Sequence, residues 1–181
     1  MLEPISIHLP GILLAYSAFL LTILSPGPNN LAVMGVSMSA GRISGIALAL
    51  GVATGSFSWA MLTVIGLSAL IASHTGALTA IKILGGLYLL WLAYKAFRSA
   101  ASAHEVKPIK FADSKRTLFA YYFRGFFIQI TNPKAALTWI AIISLGLQAE
   151  SSFWVGFIIV VGTTFLAAAI HCVYALAFST T

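Results

Sequence analysis

An apolar run near the start of the chain is interrupted by L-S-P-G-P-N-N at residues 24–30. No charged residue lies between Glu3 and Arg42, which is typical of a segment inside a membrane. Two prolines and a glycine cannot continue a helix, because each proline removes a backbone donor and clashes with the preceding turn. At membrane depth such a break is tolerated only within protein or beside a water-filled cavity. The stretch therefore predicts a spanning helix that is broken near its middle.

A second break of the same kind is predicted at T-N-P-K, residues 131–134, in the middle of a later apolar run. Proline again interrupts the helix, and an asparagine and a hydroxyl side chain again stand beside it. The alternative is that both motifs are simple kinks, since proline is frequent in membrane helices. Two breaks with the same residue types favour a shared role at the same membrane depth.

The composition excludes several classes of protein. Of the 181 residues, 60% are hydrophobic and 8% are charged, whereas a soluble domain has about 45–50% apolar and about 25% charged residues. A water-soluble enzyme, a disordered chain and a nucleic-acid-binding domain are therefore excluded. The net charge of +6 comes from Lys and Arg near the ends of apolar runs, which indicates membrane topology. The single Cys172 excludes a disulfide framework and a Cys-cluster metal site, and no metal or organic cofactor is expected.

Charge-free runs predict an all-α polytopic membrane protein with five transmembrane segments. The segments lie at about residues 9–40, 43–72, 76–97, 118–149 and 152–178, and the first and fourth are broken at the proline motifs. We interpret residues 1–181 as a single transmembrane transporter domain. It comprises a first repeat at 1–97, a cytoplasmic linker at 98–117 and a second, incomplete repeat at 118–181. Because three is an odd number, the two groups insert in opposite orientations, as three plus two helices of a 3+3 inverted repeat.

Lysine and arginine predict the orientation, because cytoplasmic loops carry an excess of them. A cluster in and beside the linker comprises Lys95, Arg98, Lys107, Lys110, Lys115 and Arg116. The linker is therefore predicted to be cytoplasmic, and the loops at 73–76 and 150–152, which lack Lys and Arg, to face outward. The N-terminus is then outside and the tail inside, unless a re-entrant first segment reverses the N-terminus.

The two breaks together predict a substrate-binding site. The N-terminus of a half-helix attracts a carboxylate, and the carbonyls released by a break attract an ammonium group, so the pair suits a zwitterion. The predicted site residues are Pro26, Gly27, Pro28, Asn29 and Asn30 on one wall and Thr131, Asn132, Pro133 and Lys134 on the other. In this interpretation the prolines expose backbone groups, and the asparagine side chains hydrogen-bond the substrate.

Lys134 has the largest energetic cost among these residues. A lysine at the bilayer centre costs about 2.5–3.5 kcal/mol on insertion scales, and no acidic residue lies in a membrane segment to pair with it. A substrate carboxylate or a role in sensing protonation would offset that cost. The alternative is that Lys134 only caps the carbonyls released at the break.

Three other polar or aromatic side chains lie within the apolar segments. Lys82 is a candidate pathway residue, with snorkelling to the outer interface as the alternative. Trp59 is a second candidate for the pathway, with packing or lipid contact as the alternative. His171 has no His or carboxylate partner in view, so we assign it to the core as a hydrogen-bonded residue rather than to a proton relay.

Small residues at regular spacing predict close helix packing. Gly41, Gly45 and Ala49 recur every four residues, and Gly51 and Gly55 repeat the spacing. This pattern allows two helices to approach closely.

The alternatives to transport are an intramembrane enzyme, a passive channel and a non-transporting membrane partner. An intramembrane enzyme is disfavoured, because the zinc-protease-like His104-Glu105 has Pro108 where the second histidine would stand. A passive channel or a non-transporting membrane partner stays open, because a pore built from several chains leaves no signature in one sequence.

Four stretches, in this order, resemble the LysE/RhtB-type amino-acid exporter family, the lysine exporter and homoserine/threonine efflux superfamily. They are L-S-P-G-P-N-N at 24–30, G-V-A-T-G-S-F-S-W at 51–59, I-K-I-L-G-G-L-Y-L-L-W-L-A-Y at 81–94 and F-R-G-F-F-I-Q-I-T-N-P-K-A-A at 123–136. The resemblance covers nearly the whole chain. It implies secondary transport of amino acids out of the cell across the bacterial inner membrane.

The same resemblance implies further properties. The neutral branch is the nearer one, so the implied substrates are small neutral amino acids such as threonine, homoserine or leucine. The implied partners are that substrate, membrane lipids and protons as the coupling ion, with no nucleic acid. Members of the family usually have a sixth helix, which leaves open whether a partner copy in a homo-oligomer supplies one.

Overall fold

A computed structural model describes residues 5–24, 27–73, 76–101, 117–148 and 151–179. Within these ranges the chain forms seven α-helices and no strand, which confirms the all-α fold class. The helices are α1 Ile5–Leu24, α2 Pro28–Ala40, α3 Arg42–Ser73, α4 Ala77–Ala101, α5 Leu118–Ile130, α6 Pro133–Gly146 and α7 Phe153–Ala177. Pro26, most of the linker and the tips of the two loops predicted to face outward lie outside the described residues.

Four of the described helices, α1, α3, α4 and α7, are each long and apolar enough to cross a membrane. Helices α5 and α6 together make a fifth candidate span, bent by 66° at residues 131–132. Four to five candidate spans agree with the prediction of a multi-pass membrane protein. The gaps between α1 and α2 and between α5 and α6 are compatible with the two predicted breaks.

Proline begins the second helix of each broken pair. Pro28 and Pro133 both stand in the first turn of a helix, at the start of α2 and α6. Proline is favoured there because its missing N–H would have no partner within the helix and its φ angle is already helical. Each of these prolines therefore favours the start of a helix at its own position.

A single residue, Gly41, connects α2 to α3. Its φ angle of 83° lies in the left-handed region, where a side chain would be strained. The turn folds α2 back onto α3, and Gly45 lies so close to Ser37 that an added Cβ would collide with the serine hydroxyl. Gly41 therefore forms the turn, and Gly45 provides the close contact between α2 and α3.

The long helix α3 packs against α5 through glycines from both sides. A Cβ added to Gly51 would collide with the Tyr122 carbonyl oxygen, and one added to Gly125 would collide with the Leu48 carbonyl oxygen. A Cβ on Gly55 would lie 2.8 Å from the Gln129 side chain. This close approach confirms the packing predicted for Gly51 and Gly55, whereas Gly41 forms the turn and makes no such contact.

Apolar side chains fill two core clusters and also cover the outside. One cluster includes Phe19 and Trp139, whose rings stack with centroids 5.5 Å apart. The other joins α2, α3, α5 and α7 around Val36 and Tyr121. Large apolar residues such as Phe97 remain exposed on the surface, as expected of helices that face lipid.

The start of α1 and the connection from α6 to α7 lie at the same end of the bundle. The Gln148 side-chain amide donates a hydrogen bond to the Ile7 carbonyl over 3.3 Å, and Ser151 lies beside the His8 ring. The start of α1 and the connection from α6 to α7 are both predicted to face outward, so the contact between them is compatible with the predicted orientation.

Candidate functional site

A polar cavity of about 90 Å³ lies where the two broken helices meet. Six of the predicted residues line it: Gly27, Pro28, Asn29, Asn30, Asn132 and Lys134. Further polar lining comes from Thr22, Ser56, Gln129, Thr138 and His171, and the apolar lining comes from Phe19, Ile23, Ala135, Trp139 and Ile142. The cavity thus brings together side chains from α1, α2, α3, α5, α6 and α7.

The N-terminus of α2 opens onto this cavity. Gly27 is its N-cap in extended conformation, with φ −141° and ψ 175°, and no side chain caps the helix there. Because Gly27 has no side chain to cap it, the positive end of the helix dipole borders the cavity. Such an end attracts an anionic group.

Asn30 holds the first break together. Its side chain is buried, and its Nδ2 donates a hydrogen bond of 2.9 Å to the Ile23 carbonyl in the last turn of α1. Carbonyls at the end of a helix have no partner within that helix, so this bond satisfies one of them. The structure therefore shows Asn30 bound to the backbone at the edge of the cavity.

Asn29 begins a chain of side-chain hydrogen bonds across three helices. Its Nδ2 donates to the Gln129 Oε1 of α5, and the Gln129 Nε2 donates over 2.6 Å to the Ser56 hydroxyl of α3. The Asn29 Oδ1 is buried, and no partner for it occurs among the described residues. A buried carbonyl oxygen without a donor is costly, so a ligand N–H is a suitable partner for it.

The second break is closed mainly by its own residues. The Asn132 Oδ1 accepts a hydrogen bond of 3.0 Å from the Lys134 backbone N–H and so caps α6. The Thr131 hydroxyl donates over 2.6 Å to the Phe127 carbonyl. Thr131 and Pro133 do not line the cavity. The N-terminus of α6 is therefore capped, in contrast to that of α2.

Lys134 lies between the polar cavity and a second, apolar groove. The groove has a volume of about 500 Å³ and lies between α1, α4 and α6. Lys134 and Thr22 line both spaces. Every Asp and Glu of the sequence falls outside the described ranges, so the described part of the chain offers Lys134 no carboxylate.

The two candidate pathway residues lie apart from the cavity lining. The Trp59 indole N–H donates a hydrogen bond of 3.1 Å to the Ile130 carbonyl, the last of α5. Lys82 is half-buried on α4 and lines neither the cavity nor the groove. The Trp59 bond therefore stabilises the end of α5 at the second break.

Five polar residues of the cavity were not predicted as site residues, among them Gln129, Ser56 and His171. Gln129 and Ser56 are polar residues in apolar segments. Polar residues are costly to insert into a membrane, and this cost is the signal that could have identified them. His171 is buried, and its Nδ1–H donates 2.8 Å to the Ala167 carbonyl, as a hydrogen-bonded core residue should. It nevertheless lines the cavity. Within the described ranges no three His, Cys, Asp or Glu side chains converge.

Comparison with known proteins gives a consistent set of relatives. The profile of the LysE type translocator family matches residues 20–181. The chain is 32% identical to the uncharacterized membrane protein YahN of Escherichia coli K12 over 81% of its own length and 65% of that protein. It is 28% identical to the threonine efflux protein of E. coli K12, covering 70% of this chain and 61% of that protein. It is 32% identical to the leucine efflux protein of Enterobacter sp. strain 638, covering 80% and 64%.

The chain thus spans about three fifths of the length of the curated relatives that it matches. No solved structure matches it.

Proposed function

Since the chain belongs to the LysE type translocator family, a family of transporters and not of enzymes, we propose that it exports small neutral amino acids. The chain is a multi-pass membrane protein, and its relatives are membrane proteins of bacteria. The proposed direction is outward across the inner membrane. The names of the threonine and leucine efflux proteins support neutral amino acids such as threonine, homoserine or leucine as substrates.

The observation that carries this proposal is the cavity shared by the two breaks. It offers the uncapped N-terminus of α2 and the Lys134 ammonium to a carboxylate. It also offers the unpartnered Asn29 Oδ1 to an ammonium group. A zwitterion presents both groups on one carbon atom, so one small amino acid satisfies both ends of the cavity.

Six of the nine predicted residues line the proposed site, and their contacts suggest a role for each. Asn29 and Lys134 bind the substrate, while Asn30 and Asn132 hold the helix ends beside it. Gly27 and Pro28 form the uncapped helix end. Pro26, Thr131 and Pro133 shape the two breaks. Export is coupled to protons in this proposal, and the two halves move relative to each other as inverted repeats.

Efflux from bacterial cells that express the full chain tests the proposal. The cells are loaded with threonine- and leucine-containing dipeptides, and the amino acids released to the medium are measured over time. We expect selective release that Asn29→Ala abolishes, while the amount of protein in the membrane is unchanged. Gln148→Ala, which removes an amide at the outer end of the bundle, is the matched control and should export normally.

Two results would contradict the proposal. Cells with the protein in their membrane that release no more than cells without it would show that the chain does not export these amino acids. Solute-dependent current without accumulation against a gradient would favour the passive channel.

A further inference from the structure

We infer that His171 is the proton-binding group of the cavity, and that a proton and the substrate ammonium occupy its Nε2 in turn. The inference rests on the proposed function and adds the residue that couples export to protons. It starts from a histidine that is 3% exposed and that nevertheless lines the polar cavity. An ionisable residue within a transmembrane segment is costly to insert, so its presence indicates a functional role.

The tautomer of the neutral ring follows from its hydrogen bond to the backbone. The Nδ1 lies 2.8 Å from the Ala167 carbonyl oxygen, one turn earlier on α7. A carbonyl only accepts, so the ring proton is on Nδ1 and the lone pair is on Nε2. Since Nδ1 is bound to the backbone, Nε2 is the nitrogen left for a substrate N–H or for a proton.

The charged and titratable groups around His171 are few. The helices packed against α7 are α1, α2, α3 and α6. They contribute His8 and Tyr16 from α1, none from α2, Arg42 from α3 and Lys134 from α6, and α7 itself adds Cys172 and Tyr174. Of these, only Lys134 lines the cavity with His171. No carboxylate occurs in the described part of the chain to neutralise Lys134 and a protonated His171.

This arrangement makes proton and substrate compete. In the neutral ring, Nε2 accepts a hydrogen bond from the substrate ammonium, while the substrate carboxylate binds Lys134 and the N-terminus of α2. A proton from water then forms an N–H bond at Nε2, and the resulting imidazolium repels the ammonium group. The proton must leave Nε2 to water before the next substrate binds. One proton therefore crosses in exchange for one zwitterion, and no other bond is made or broken.

Transport into lipid vesicles by the purified full chain tests the inference. Radiolabelled L-threonine and L-leucine are the probes, and valinomycin with equal potassium on both sides holds the membrane potential at zero. The vesicle interior is made one pH unit more acidic than the medium. One-for-one exchange then drives the probe inward to a concentration ratio of up to about tenfold, because each pH unit corresponds to a factor of ten.

The informative variant is His171→Gln. Its side-chain oxygen still accepts a hydrogen bond from the ammonium group, but the amide does not bind a proton near neutral pH. We expect counterflow exchange at equal pH to be slower yet measurable, and the pH-driven accumulation to fall to about onefold. His8→Gln at the outer end of α1 is the control and should keep the accumulation of the unchanged protein. Accumulation that survives in His171→Gln would overturn the inference.

The outcomes separate this inference from the proposed function. An unchanged protein that exchanges neither probe would contradict both. An unchanged protein that exchanges a probe but never accumulates it under the pH gradient would overturn the proton-binding role alone.

If His171→Gln does not reach the membrane, the unchanged protein still provides a test. Lowering the pH on both sides should raise the KM of exchange several-fold without lowering the maximal rate, because a proton on Nε2 excludes the substrate ammonium. A KM that is independent of pH would overturn the inference.

Discussion

At the residue scale, side chains both near to and far from each break in the sequence satisfy the backbone groups that the breaks release. Asn30 reaches the Ile23 carbonyl and Trp59 reaches the Ile130 carbonyl, each at the end of a helix. Backbone groups without partners inside a membrane cost several kcal/mol each, so these bonds are part of what makes the breaks possible. Residues that look like ligand contacts in the sequence therefore also have a structural role.

Removal of the Trp59 donor should destabilise the protein. Trp59→Phe keeps an aromatic ring but leaves the Ile130 carbonyl without its donor, at a cost of about 1–3 kcal/mol. We expect a lower midpoint of thermal unfolding in detergent. Trp154→Phe is the matched control, since Trp154 is 61% exposed, and its midpoint should not change. Equal midpoints for the two variants would show that the indole bond is not stabilising.

Gln129 is expected to act as a positioning residue. It holds the Asn29 amide on one side and the Ser56 hydroxyl on the other. Gln129→Leu removes both bonds, so Asn29 loses its orientation and the KM for the exported amino acid should rise about tenfold or more. Gln148→Leu provides the control at the outer end of the bundle. A fall in maximal rate and membrane level with an unchanged KM would point to misfolding instead.

The capping role of Asn132 can be separated from substrate binding. Asn132→Ser retains a side-chain oxygen that caps α6, whereas Asn132→Ala does not and should cost about 1 kcal/mol. If capping is the main role, Asn132→Ser should show both higher efflux and higher thermal stability than Asn132→Ala. Efflux that stays low in a variant of restored stability would instead assign the amide to the substrate.

At the element scale, the structure depends on how closely α3 and α5 approach. Gly51 and Gly125 each place helix backbone against helix backbone, where no side chain fits. Helices in lipid gain little from the hydrophobic effect between them, so close packing of small residues is a main source of their association. The same contact positions Ser56 beside Gln129 and therefore orders the cavity.

Two glycines of α3 provide a matched test of this packing. A Cβ at Gly51 collides with backbone of α5, whereas a Cβ at Gly66 meets no atom within 4 Å. Gly51→Ala should therefore lower the free energy of unfolding by about 1–3 kcal/mol. Gly66→Ala should be neutral or slightly stabilising, since alanine favours helix by about 1 kcal/mol. Similar thermal midpoints for both variants in detergent would contradict the packing role.

The helices were predictable from the sequence for a simple reason. Charge-free runs of about 20 residues have few alternatives to a spanning helix, and proline marks a break from local chemistry alone. The partners across the breaks were not predictable, because they depend on packing between distant segments. The Gln129–Ser56 bond joins residues 73 positions apart. His171 was correctly expected to be buried and hydrogen-bonded, but its place beside the cavity depends on how α7 rotates against α3.

At the scale of the whole molecule, the two ends of the bundle are predicted to face different compartments. Ser151 lies between α6 and α7, at the same end as the start of α1, and Thr117 caps the start of α5 beside the basic linker. The excess of Lys and Arg in that linker predicts that Thr117 is cytoplasmic. The arrangement of the whole chain in the membrane can therefore be tested at two positions.

Cysteine labelling checks this orientation. In a Cys172→Ser background, Ser151→Cys should react with a membrane-impermeant maleimide added to intact cells, provided that the outer membrane is made permeable. Thr117→Cys should react only after the inner membrane is opened. The reverse pattern would invert the predicted topology without affecting the proposed site.

The contact between α3 and α5 also sets a condition on synthesis of the chain. Trp59 and the Ile130 carbonyl are 71 residues apart, and ribosomes add about 5–20 residues per second. For roughly 4 to 14 seconds, the glycine-lined side of α3 therefore waits for its partner to be made. During that interval α3 contacts lipid or the insertion machinery instead of α5. Slow translation between residues 60 and 130 would therefore prolong the time in which the nascent helix can be degraded or can pair with the wrong helix.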